Sequence, residues 1–384
     1  MSDLLKAIAR SASFLKAPLW VGLLALPLTG PGRAVQLALT ALACIVLWRM
    51  LKAGAVTRMF TAVLEKTSGV RDRAGRFASW TSSPLFVALF AALLVIIPFF
   101  QNDYYRDVLT LTALYAVLAL GLNLVVGQAG LLNLGYAAFY AIGAYTYAIL
   151  STRFGLAFWP GLVAGAAASA FTALLIGLST LKLRGDYFAI VTLGLGEITR
   201  IVLNNSDRIT GGPNGIPGIG RPVLFGHTIS TPLEQYYLIL IIAMITVFAM
   251  GRIMSSRIGR AWVAIREDEV AAEAMGINTF RLKLLAFVVG SAWAGLAGVF
   301  FAAKMAFVSP ESFTFFESVL ILCMVVLGGM GSIPGIILGA FLLVMLPELF
   351  REFADYRMLG FGAALVLMMI FRPQGLMGTA KNSK

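Results

Sequence analysis

Of the 384 residues, 59% are apolar and only 12% are charged, a balance that excludes a soluble globular domain because so much apolar surface cannot be hidden in a water-soluble core. The formal charge of +12 is dispersed over the polar intervals between apolar runs, which argues against a nucleic-acid surface and for a topology signal. Cys44 and Cys323 both lie in apolar runs, which excludes a disulfide framework, and His227 has no acidic or thiol neighbour at ligand spacing, which gives metal catalysis no footing.

A hydrocarbon core about 30 Å thick takes roughly 20 helical residues to cross, and apolar runs of that order recur along the chain. Lys6, Arg10 and Lys16 precede a run at 19–28 in the manner of a signal peptide. No small-x-small cleavage site follows, and Gly30-Pro31-Gly32 leads into a second run at 34–48, so a hairpin of two spans is expected. The basic interval 52–76 brings the chain back to the cytoplasm. Residues 1–83 thus read as a helical hairpin with a basic linker, and 84–384 as the principal membrane domain.

Residues 84–100 should cross outward, 101–107 turn outside, and 108–126 cross back. The stretch GQAGLLNLG at 127–135 is too rich in glycine and amides for ordinary span interior. Helices at 136–150 and 157–181 follow, the second carrying Gly161, Gly165 and Ser169 at four-residue spacing, a close-packing stripe. Lys182 and Arg184 mark the cytoplasm again. The apolar run 187–204 contains Glu197 and Arg200, which three residues apart share a helix face and can pair. They are the only charges placed inside a span, where charge is costly and commonly functional; a structural pair close to the outer interface is the other reading.

A Gly- and Pro-rich loop at 204–235, including TGGPNGIPGIG, is expected outside, and 236–250 returns to the cytoplasm. Runs at 284–301 and 320–327 cross out and back. GGMGSIPG at 328–335 interrupts the latter, and a hairpin of 336–346 and 359–370 closes the chain with Arg372, Lys381 and Lys384 inside. Both termini fall in the cytoplasm on this count. The fold class is an all-α polytopic membrane protein with about 10–12 membrane-embedded helices, some broken or re-entrant.

Two apolar segments are interrupted alike, VVGQAGLLNLG from Val125 and VVLGGMGSIPG from Val325. Irregular backbone at membrane depth is tolerated where protein or a wet cavity satisfies it, and matching broken segments in two halves of a transporter point to its pathway. Asn123, Gln128, Asn133, Tyr140 and Ser332 are therefore candidate pathway residues, with Glu197 and Arg200 as more distant candidates. The alternative is close helix packing in which the amides bond to neighbouring backbone.

The longest polar interval, 252–283, carries Arg252, Arg257, Arg260, Arg266, Arg281 and Lys283, which places it in the cytoplasm. A helix is expected from Glu267 to Met275, ended by Gly276, with Asn278 or Thr279 capping a second helix that leads into the next span. Ala271, Ala272 and Gly276 are small enough for a partner to approach closely, and Glu267, Asp268, Glu269 and Glu273 rim them with charge. A docking surface and a solvated interfacial helix both fit this shape.

Residues 259–276 resemble the cytoplasmic coupling loop of permease subunits in bacterial ABC importers, whose motif is Glu-Ala-Ala, three residues, then Gly. Here the matching positions are Val270, Ala271, Ala272 and Gly276, with Glu269 one place before the expected carboxylate. That departure, LGLNLVVGQAGLLNLGYAAFYAIGAY at 120–145 and TGGPNG at 210–215 together resemble the LivM-type branched-chain amino-acid permeases, over roughly residues 108–372. Many members carry an aromatic residue where Gln128 stands and His where Tyr136 stands.

The resemblance implies a transport subunit rather than an enzyme, in the bacterial inner membrane. It implies a second permease of LivH type, two ATPases of LivG/LivF type holding ATP and magnesium, and a periplasmic amino-acid binding protein facing the loop 204–235. No cofactor is expected in this chain, which contains no G-x-x-x-x-G-K-[ST] phosphate loop. Branched-chain amino acids are the implied cargo; urea, short amides or other amino acids are alternatives within the family. An ion-coupled secondary carrier is opposed by the scarcity of intramembrane acids, and a membrane enzyme by the lack of a nucleophile and base constellation.

Overall fold

Apolar runs that must satisfy every backbone group without water fold as helices, and the computed structural model is built almost wholly of them. It describes residues 97–181, 186–224 and 226–349, together with residues 95 and 362. The expected N-terminal hairpin, the closing span at 359–370, and Lys182 and Arg184 lie outside the described residues. The principal helices are α1 (Asp103–Asn123), continued by a π turn at Leu124–Gln128, α2 (Tyr136–Phe154), α3 (Phe158–Thr180), α4 (Asp186–Asn205) and α5 (Pro232–Ser255). Two short helices follow, α6 (Arg257–Glu267) and α7 (Glu269–Ala274), then α8 (Thr279–Met305), α9 (Phe315–Gly328) and α10 (Ile333–Leu349).

Six segments among the described residues are long and apolar enough to cross a bilayer: Asp103–Gln128, Phe158–Thr180, Tyr187–Asn205, Pro232–Ser255, Thr279–Met305 and Pro310–Gly328. The protein is an all-α polytopic membrane protein. Helix α2 falls outside that set because Tyr136, Tyr140, Tyr145 and Tyr147 dilute its apolar character, yet all four are buried. Its neighbours, chiefly α3 and α8, shield these rings from lipid, so α2 can hold polar groups that a lipid-facing helix could not.

Glycine permits that enclosure. A Cβ at Gly143 of α2 would stand 2.2 Å from the carbonyl oxygen of Gly295 in α8, and one at Gly298 would stand 2.2 Å from that of Tyr140. The stripe on α3 is larger than the sequence suggested: Gly161, Gly165, Ser169, Ala173 and Gly177 are all buried. The Ser169 hydroxyl donates to the Phe139 carbonyl at 2.8 Å, joining α3 to α2. Close backbone approach replaces the hydrophobic effect as the force between helices in lipid.

The bundle has two distinct ends. At one, the loop after α4 folds over the ends of α2 and α8. Gly211 and Gly215 have φ of +76° and +68°, and a Cβ at Gly215 would stand 2.2 Å from the Val308 carbonyl oxygen. That approach lets Ile216–Pro217 pair antiparallel with Phe307–Val308. Lys304 also meets Asp107 here, at 3.1 Å. Thr231 and Glu234 form a reciprocal capping box at the start of α5, and Glu234 reaches His227 at 2.9 Å. Folding thus gives His227 an acidic neighbour seven positions away, beyond the ligand spacing read from sequence. At the other end lie α6, α7 and both broken segments.

Candidate functional site

The helical elbow is set by local caps. Ser256 adopts an extended backbone at the end of α5 and its hydroxyl accepts from Gly259 N at 3.2 Å, starting α6. Trp262 and Ile265, three residues apart, are buried against the bundle, and the Trp262 indole donates to the Leu282 carbonyl at 2.7 Å. The sequence reading began its helix at Glu267 and missed α6. The Ser256 cap and the Trp262/Ile265 spacing were the available signals.

Asp268 breaks the helix with an extended backbone, and its carboxylate accepts from Ala271 N at 3.0 Å, capping α7. Gly276, at φ +83°, turns the chain, and Asn278 rather than Thr279 caps α8, accepting from Arg281 N at 3.0 Å. The carboxylates of the rim hold the elbow's shape: Glu267 lies 3.2 Å from Arg266, and Glu269 pairs with Lys283 at 2.6 Å. Glu273 is exposed. The two alanines differ. Ala271 is exposed, whereas Ala272 is 4% exposed and faces the bundle. Val270 and Met275, which sequence reasoning did not select, stand 72% and 82% exposed at the tip.

The two broken segments touch. The Asn123 carboxamide oxygen accepts from Gly331 N at 2.8 Å, and the Gln128 carboxamide lies beside Gly331. Ser332 caps α10 by accepting from Gly335 N at 3.3 Å. Helix α2 begins midway along its neighbours, since the Tyr136 hydroxyl donates to the carbonyl of Gly290, in the middle of α8, at 2.9 Å. N–H groups there cannot reach water, and side chains take them. Thr192 accepts from Leu134 N at 3.1 Å, Asn133 from Gly135 N at 3.0 Å and Ser318 from Ala137 N at 2.9 Å. The Asn133 amide nitrogen is buried and without a partner among the described residues.

The candidate pathway residues therefore divide. Asn123, Gln128 and Ser332 gather where the two segments meet, and Asn133 stands at the start of α2. Tyr140 packs farther along α2 among Phe301 and Phe313. Glu197 and Arg200 pair at 3.1 Å, about a third exposed, and Arg200 also lies 3.6 Å from Glu311; the pair makes no hydrogen bond to the amides, although Gly196 beside it packs against Gly135, two residues from Asn133. The expectation that Glu197 and Arg200 are the only charges within a span needs correction. Glu317 lies within Pro310–Gly328 and accepts from the Tyr115 hydroxyl at 2.8 Å. A span started at Leu320 overlooked it; Phe315 and Phe316 were the signal that the apolar helix begins earlier.

Asn123→Leu leaves the Gly331 N–H without its acceptor, so it is expected to lower stability by about 1–3 kcal/mol. Thermal unfolding in detergent measures this, and an unchanged midpoint would show that the contact contributes nothing. Among the described residues no group of three or more His, Cys, Asp and Glu side chains could hold a metal ion.

Comparison with known proteins follows the same residues. The family model described as "Branched-chain amino acid transport system / permease component" matches residues 104–371. The chain is 46% identical over 322 residues to the high-affinity branched-chain amino acid transport system permease protein LivM of Escherichia coli strain K12, covering 78% of this chain and 76% of that protein. It is 29% identical over 297 residues to the high-affinity branched-chain amino acid transport system permease protein BraD of Pseudomonas aeruginosa (72% of this chain, 95% of that one). Identity to LivH of Escherichia coli strain K12, likewise so described, is 28% over 308 residues (74% and 98%). No solved structure is a significant match. A family model spanning both broken segments and the elbow, and a relative nearly half identical over most of both chains, lead to one conclusion: the chain belongs to the permease family of branched-chain amino acid transport systems.

Proposed function

We propose that this chain is a permease subunit of an ATP-driven importer for branched-chain amino acids in the bacterial inner membrane, forming half of the translocation pathway with a second permease of LivH type as the other half. The observation that carries the reading is the elbow. Its apolar tip, Val270, Ala271 and Met275, projects outward while Trp262 and Ile265 pin its underside to the bundle. An exposed apolar tip on a rigid support suits the groove of another protein better than it suits solvent.

The occupant of that role is a pair of LivG/LivF-type ATPases, which hold ATP and magnesium. The arginines of the elbow support a cytoplasmic position for this end. The opposite end, with the loop 204–235, then faces a periplasmic amino-acid binding protein that supplies selectivity. ATP-driven closure of the ATPases moves the elbows, and stiff helices convert that movement into alternating access. Asn123, Gln128, Asn133 and Ser332 border the inner part of the route in this scheme.

One feature favours a second reading. Glu317, a carboxylate inside a span, is a group that an ion-coupled carrier could use. Uptake of radiolabelled leucine into vesicles decides between them. Uptake is expected to require ATP and the ATPase subunits, to stop with orthovanadate and to persist when ionophores collapse ion gradients. Concentrative uptake by the chain alone, driven by an ion gradient, would overturn the importer reading.

A further inference from the structure

We infer that Arg266 is the positioning residue that carries movement of the elbow into the two broken segments, its guanidinium acting as a strut seated in a pocket made by glycines. The inference rests on the proposed importer reading and adds the route of coupling within the chain. Arg266 sits in the last turn of α6, two residues before the Asp268 break. Its Nη1 donates to the carbonyl oxygen of Gly127, the fourth residue of the π turn that interrupts the first broken segment. The same Nη1 lies 3.8 Å from where a Cβ on Gly331 of the second broken segment would stand. Gly331 N is in turn held by Asn123, so the strut meets the junction of the two segments, 139 positions away in sequence from the elbow.

The glycines give independent support. A Cβ at Gly130 would stand 2.8 Å from Cγ and 3.3 Å from Cβ of Arg266. Gly130 and Gly331 have φ of +73° and +87°, a region that side chains disfavour. A Cβ at Gly127 would stand 1.9 Å from the Asn123 carboxamide oxygen and 2.9 Å from Gly331 N. The glycines of GQAG and GGMG thus leave a space that the Arg266 side chain fills, while Gly127, in the last turn of the interrupted helix, has a carbonyl without an intrahelical partner. Arginine suits the task because its planar, always charged fork holds one orientation. One Nη is on Gly127 and the other on Glu267 at 3.2 Å. A push on α7 at Glu269–Ala274 therefore reaches the broken segments through one side chain, with α6 as the lever.

The test uses the full chain assembled with its permease and ATPase partners, comparing wild type, Arg266→Ala, Arg266→Lys and Gly130→Ala. Three quantities are read per complex: co-purified ATPase, ATP hydrolysis, and leucine uptake. Arg266→Ala is expected to keep the ATPases and hydrolysis but to lose about tenfold or more in uptake per ATP hydrolysed. Arg266→Lys, which keeps a donor for the Gly127 carbonyl, should recover part of that ratio. Gly130→Ala retains the arginine but crowds its stem, and is expected to lower the ratio as well.

A residue serving stability alone would lower the unfolding temperature and leave the ratio unchanged. An unchanged ratio in Arg266→Ala overturns the inference, as does loss of the ATPases from that variant, which would place Arg266 in the docking surface. If Arg266→Ala fails to accumulate, the ratio in Gly130→Ala decides in the same two directions. Failure of the wild type to retain ATPases would instead overturn the importer reading itself.

Discussion

Replacing Gly295 by leucine should remove the folded permease from the membrane or lower its unfolding midpoint in detergent by at least about 5 °C. The reason is geometric. A Cβ at this position would stand 2.3 Å from the Ser169 hydroxyl and 2.5 Å from the Gly165 carbonyl oxygen. Neither atom can retreat cheaply, since the hydroxyl holds Phe139 O at 2.8 Å and the carbonyl belongs to a helix packed against Gly143 in turn. Overpacking commonly costs about 1–3 kcal/mol, and a collision with backbone lies at or beyond the upper end of that range. Gly194→Ala is the contrasting case, because a Cβ there meets nothing within 4 Å and helix propensity favours alanine. A midpoint for Gly295→Leu equal to that of Gly194→Ala would show that α2, α3 and α8 do not pack as described.

A charge at the elbow tip should act in the opposite way, sparing the fold and removing the partner. Met275→Glu and Val270→Asp alter side chains that are 82% and 72% exposed, so little stability depends on them. If the tip seats in an ATPase groove, each change buries an unpaired carboxylate and should weaken association by at least about 2 kcal/mol, roughly 30-fold. Loss of co-purified ATPase with an unchanged unfolding midpoint is the expected outcome. Ala272→Leu is different because Ala272 is 4% exposed against the bundle; it should lower the midpoint and loosen the elbow together. Retention of the ATPase by both tip variants would remove the docking surface from Val270 and Met275.

Much of this arrangement could be read from residue order because the relevant signals are local. The stripe of Gly161, Gly165 and Ser169 recurs at helical spacing, so one face of α3 was evident before its neighbours were known. Gly276 and Asn278 announce a turn and a cap through chemistry confined to a few residues. The six-residue helix α7 is too short for periodicity to fix its phase, which is why Ala272 read as part of the outer surface although it faces inward. Arginines around Trp262 and Ile265 obscured the apolar face of α6. Residue order along the chain carries no depth, so nothing marked α2 as starting beside the middle of α8. Contacts such as Arg266 to Gly127 join positions far apart in sequence, and only the folded chain brings them together.

The buried start of α2 has a mechanical consequence. The three N–H groups entering that helix are taken by Thr192 on α4, by Asn133 beside them and by Ser318 on α9. Sliding α4 or α9 away would strand a buried backbone donor, at a cost of about 1–3 kcal/mol for each. These elements therefore travel as one rigid block around α2, as masonry moves with its keystone. Any gate must open along seams that carry no such donor; the border of α10 with α1 is tied by Asn123 to Gly331 N, which directs attention to the border of α5 with α1.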